Sequence, residues 1–152
     1  LRMLEAGQPC LLIPPAEGKL EGAYCTNFWN YPMFRDISLS MGKPVPVGTL
    51  GCLIEKDHPA LKDFPAEEYS TPEWYEIVTR SHCEDLTENG AAEPIVWVID
   101  HPDRSRKLAL LYQEHTPAGE LLVCTSRLPE IGNRPEVQWL AGGLARYLLG
   151  KG

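Results

Sequence analysis

The chain alternates short apolar runs with long stretches that carry no period. Leu1 and Leu4 share a helical face, and Gly7 stands where a left-handed residue ends a helix, so residues 1–7 read as a helix tail. A helix opening at residue 1 is expected to have lost its front, so the chain reads as a fragment of a longer polypeptide or as one that lacks an upstream β-α unit. Pro9–Ile13 reads as an apolar strand, stopped by Pro14-Pro15. The run VGTLGCLIE, residues 47–55, predicts a buried strand, and Asp57-His58-Pro59 opens a short helix or turn over PALKDF. Ser70-Thr71-Pro72-Glu73 has the form of a capping box, with Ser70 as N-cap and a helix running through Trp74 to about Arg80. Residues 84–93 read as a polar loop, and PIVWVID, residues 94–100, as a strand with a continuous apolar centre.

Residues 101–106 predict a turn. KLALLYQEH and GELLVCTS then form two strands of a hairpin joined by Thr116-Pro117-Ala118-Gly119. Pro135–Leu149 predicts the last helix, with Val137, Leu140, Leu144, Tyr147 and Leu148 on one face. Gly142-Gly143 would each weaken that helix by roughly 1 kcal/mol unless close packing requires them. The order of elements predicts one α/β domain over residues 1–152, a mixed sheet with helices on its faces.

The stretch that resists this reading is Ala16–Val47, crowded with rings and prolines. Phe28, Tyr31 and Phe34 recur at three-residue spacing, so Trp29–Phe34 predicts a helical turn or two. The chain holds 14 prolines, mostly between periodic segments, which points to shaped loops over a sheet rather than to disorder. A net charge of -7 argues against a nucleic-acid partner, because phosphate binding needs a basic face. No apolar run is long enough for a membrane helix. Five scattered cysteines without a CxxC pair argue against a structural zinc site and suit a reducing, cytoplasmic compartment.

Candidate chemistry is thin. Gly51-Cys52 begins like a nucleophile elbow but lacks its second glycine, and Cys25 has no base partner in sequence. Cys10, Cys52 and Cys124 sit in apolar runs and read as buried small hydrophobes. His58, His82, His101 and His115 stand alone, without metal-ligand spacing. The carboxylates Asp36, Glu55, Asp57, Glu67, Glu68, Glu73, Glu76 and Asp100 show no catalytic pairing. Neither GxGxxG nor a P-loop occurs, so no cofactor is specified. The aromatics Phe28, Trp29, Tyr31, Phe34, Phe64, Tyr69, Trp74 and Tyr75 are the distinctive feature. Such rings pack loops onto a sheet, anchor a protein interface, or stack on sugar faces.

FWNYPMFR, then PVPVGTLGCLIEKDHPALKDFPAEEYSTPEWYEIV, then PIVWVID and RKLALLYQEHTPAGELLVCT, resemble the C-terminal accessory region of bacterial family-two glycoside hydrolases, the β-galactosidase and β-glucuronidase type. The resemblance covers residues 7–149. It implies a flavodoxin-like or class I glutamine-amidotransferase-like three-layer sandwich without that fold's catalytic triad, since the elbow at Cys52 is incomplete and no His-x-Glu pair stands near the end. It therefore implies a non-catalytic module, with no catalytic residue to carry over and the hydrolytic carboxylates in a separate barrel domain. The partner would be that catalytic domain or a neighbouring subunit, met through Phe28, Trp29, Asn30, Tyr31, Phe34, Arg35 and Trp74. A carbohydrate-binding module is the alternative, with Asn27, Asn30, Arg35 or Asp36 reaching sugar hydroxyls. A stand-alone cysteine hydrolase at Cys52 or Cys25 is a further one.

Overall fold

The computed structural model describes residues 2–15, 40–42, 51–100 and 105–150. Within these, the protein is a mixed α/β domain built on a six-stranded mixed sheet. Helix α1, Arg2–Glu5, ends at Gly7, whose φ of 74° is the left-handed conformation the sequence predicted there. Strand β1, Cys10–Leu12, pairs in parallel with β6, Gly119–Cys124. The remaining strands are β2, Gly51–Ile54; β3, Glu84–Asp85; β4, Ala92–Ile99; and β5, Leu108–Thr116. Their spatial order is β1-β6-β5-β4-β2, with β3 also on β5. All pairings except β1–β6 are antiparallel.

The hairpin of β5 and β6 closes as expected around Pro117-Ala118, with Thr116 opposite Gly119. Gly119 takes a φ of 139° and lies against Leu4, which fastens α1 to the hairpin tip. Strand β3 lies inside the stretch expected to be a polar loop. Its two residues are polar, so no apolar pattern marks it. It prolongs the β6 side of β5, opposite Ala109 and Leu108.

Two bulges account for the unbroken apolar runs in β4 and β5. Pro94 faces Tyr112 and Val96 faces Leu111, leaving Ile95 over; Trp97 then faces Ala109, leaving Leu110 over. Each extra residue serves the next strand outward. The Ile95 carbonyl accepts the Glu55 amide at 2.9 Å, and the Leu110 carbonyl accepts the Thr125 amide at 2.9 Å and hydroxyl at 3.1 Å. Consecutive pairs Ile95-Val96 and Leu110-Leu111 thereby reach the same main core.

That core fills the sheet face covered by α3, Pro135–Leu149, by α2, Tyr75–Thr79, and by two 3-10 turns, Pro59–Leu61 and Pro72–Trp74. Val137, Leu140, Leu144 and Leu148 of α3 are buried, the face the periodicity named. The predicted capping box is replaced by a later start: Thr71 is the N-cap of the second 3-10 turn, Pro72 follows it, and no side-chain cap bond forms. A smaller cluster, Leu86, Ala92, Ala109, Tyr112 and Val123, occupies the other face.

Candidate functional site

Of the residues expected at a contact surface, Phe28, Trp29, Asn30, Tyr31, Phe34 and Arg35 lie outside the described residues, as do Asn27 and Asp36. Trp74 is described, and it corrects the expectation: it is fully buried. Its ring meets Phe64 edge-on at 4.9 Å, and Phe64 meets Trp139 at 6.1 Å. Three rings thus run from the core to the surface, and only the last, Trp139, is exposed, at 51%. Trp74 follows a proline turn that aims its side chain inward, a direction the local sequence does not reveal. Its indole Nε1 has no hydrogen-bond partner among the described residues.

The segment from His58 to Pro65, which the resemblance includes, caps a turn and supplies core residues. His58 Nδ1 accepts the Ala60 amide at 3.2 Å and caps the first 3-10 turn, while Pro59 supplies the fixed φ at its first position. The His58 ring also meets Tyr147 edge-on at 5.5 Å. Ala60, Leu61 and Phe64 are buried. The turn lies so close to α3 that a Cβ on Gly143 would stand 3.6 Å from the Ala60 carbonyl. One turn further along α3, Arg146 Nε donates to Asp63 at 2.8 Å.

Cys52, Cys83 and Cys124 are buried on the strands or beside α2, and Cys10 is half-buried. Burial pushes the Cys124 thiol up to about 12, far from a reactive thiolate. Cys25 and His101 lie outside the described residues. His82 is buried next to Glu84 at 3.4 Å. Asp85 accepts from the Thr87 hydroxyl and from Arg106, and these donors hold its carboxyl below the usual range. No group of three or more metal-ligating side chains forms among the described residues. No described helix is long and apolar enough to cross a membrane.

A polar network that sequence patterning missed links the hairpin to α3. The Tyr147 hydroxyl donates to Gln113 Oε1 at 2.5 Å, and Gln113 Nε2 donates to Glu120 at 2.6 Å. The other Glu120 oxygen meets His115 Nδ1 at 2.6 Å, and His115 Nε2 faces Glu93 at 3.8 Å. Gln113 is buried, and its satisfied amide fixes the register of α3 over the hairpin. Gln113 directly follows the apolar run LALLY and opens the polar end of β5, so patterning alone does not mark it as buried.

Two surface features stand out among the described residues. A cleft of about 540 Å³ runs beside the first 3-10 turn, walled by Phe64, Pro59 and Leu61 and fringed by Lys56, Asp57 and Lys62. Lys56 is paired with Glu68 at 3.6 Å, so little net charge is left to select a ligand. The second feature is a cross-strand row on the sheet face opposite α3. Tyr69 bridges to Leu53, Leu53 faces Trp97, and Trp97 faces Ala109. Residues opposed in this way share one face. Tyr69 is 63% exposed, Leu53 53% and Ile99 37%, and Trp97 is half-buried under Lys107 Nζ at 5.4 Å from its ring. Exposed Tyr69, Leu53 and Ile99 thus flank the half-buried Trp97 in contiguous register, which isolated surface hydrophobics do not.

A mixed α/β domain with an apolar ridge on one sheet face is the class these features define. The chain belongs to the family described as "Domain of unknown function (DUF8487)", whose model matches residues 1–152. No curated protein matches it.

Proposed function

We propose that this chain is a non-catalytic accessory domain of a glycoside hydrolase, packed against the catalytic domain of the same polypeptide or against a neighbouring subunit. The observation that carries this reading is the ridge of Tyr69, Leu53 and Trp97, an apolar row on the face that the described helices leave uncovered. Aromatic and aliphatic anchors in one row are what a protein partner buries. The resemblance supplies the identity of that partner, and the capping His58 and buried Ala60, Leu61 and Phe64 accord with a scaffold role.

The three-layer, flavodoxin-like or amidotransferase-like assignment is part of the same proposal. The parallel β1–β6 pair followed by α3 is the piece that supports it; the antiparallel run β2-β4-β5-β6 is where the sheet departs from a doubly wound pattern.

A sugar-binding role needs coplanar rings, and Leu53 projects between Tyr69 and Trp97, which favours a protein neighbour. Limited proteolysis of the full encoded polypeptide tests the proposal. The expected result is a barrel fragment that hydrolyses aryl β-galactosides or β-glucuronides, with the region around Leu53 and Tyr69 protected only while the two parts are joined. An encoded polypeptide without a hydrolase barrel, or turnover by this chain alone, overturns it.

A further inference from the structure

We draw no further inference here: the strongest candidate, the apolar ridge of Tyr69, Leu53 and Trp97 on the sheet face opposite α3, belongs to the surface already described, and nothing in the structure shows what covers it.

Discussion

Leu53 lies directly across from Trp97 and, on its outer side, across from Tyr69, while its neighbours Cys52 and Ile54 are buried on the opposite face. A strand with one face in the core and a leucine half exposed on the other has two separable duties. Leu53→Thr keeps the β propensity and removes only the exposed apolar contact, so the isolated chain should lose no more than about 0.5 kcal/mol. In the full polypeptide the same change should weaken protection of the ridge from protease. Chemical denaturation of the chain decides the first point: a loss above about 2 kcal/mol would mean that Leu53 is interior and the ridge is no surface.

Trp74 and Trp139 both meet Phe64 edge-on, yet one is buried and the other half exposed. Trp74→Ala should cost about 3–5 kcal/mol through the cavity it leaves. Trp139→Ala should cost less than about 1.5 kcal/mol, the size of an aromatic pair contact. Fluorescence separates them without unfolding: iodide should lose part of its quenching in Trp139→Phe and none in Trp74→Phe. Equal quenching losses would contradict the burial of Trp74.

The paired glycines of α3 look alike in sequence and differ in place. Gly143 is buried against the Ala60 carbonyl, and Gly142 is half-buried beside the flexible end of Arg146. At Gly143 an alanine Cβ would make ordinary contact at 3.6 Å, so Gly143→Ala should be neutral or gain up to about 1 kcal/mol from helix propensity. Gly143→Leu has no such room and should cost about 1–3 kcal/mol by overpacking, pushing the 58–64 turn off the helix. Gly142→Leu should be nearly neutral. Thermal melts of the variants check the ordering, and a tolerant Gly143→Leu would show that the turn is not docked.

Much of this scaffold was legible in the chain. The bounds of α3 follow from Pro135 and a 3.6-residue apolar stripe, the hairpin from Thr116–Gly119, and the α1 stop from Gly7. What periodicity missed has physical reasons. β3 is a two-residue polar strand that pairs with β5, and the bulges at Ile95 and Leu110 break the period of two. Trp74 was placed at a surface because ring density was read without direction, and the 3-10 turn before α2 decides that direction. The ridge was hidden for a related cause: Tyr69, Leu53 and Trp97 are far apart in sequence, and only cross-strand register joins them.

Tyr147 is the end of α3 that reaches the hairpin, through a hydroxyl bonded to the buried Gln113 amide. Tyr147→Phe leaves the Gln113 carbonyl oxygen without that donor and should cost about 1–3 kcal/mol. Gln113→Leu removes both bonds and should cost less than the sum of the single losses when combined with Tyr147→Phe, since apolar replacement of both partners spares the desolvation penalty. A double-mutant cycle by urea denaturation measures the coupling. Strict additivity would show that the 2.5 Å contact does not hold α3 to the sheet.

Two buried acids should set the alkaline limit of stability. Burial pushes the Cys124 thiol from its ordinary 9.0 up to about 12. Burial, with Glu84 and Glu114 nearby, pushes the Tyr112 hydroxyl from 10.0 up to about 12. In both cases the folded value lies above the unfolded one, so the unfolded chain releases its proton first as pH rises. The stabilisation is therefore complete below about pH 9 and is lost progressively between pH 9 and 12. Urea midpoints measured from pH 8 to 11 should fall with pH in the wild-type chain. Cys124→Ala should flatten the part of the decline that begins near pH 9, and Tyr112→Phe the part above pH 10. Each variant also loses packing, so the slope against pH, not the absolute midpoint, is the deciding quantity. An unchanged slope in Cys124→Ala would mean that its thiol reaches solvent in the folded state.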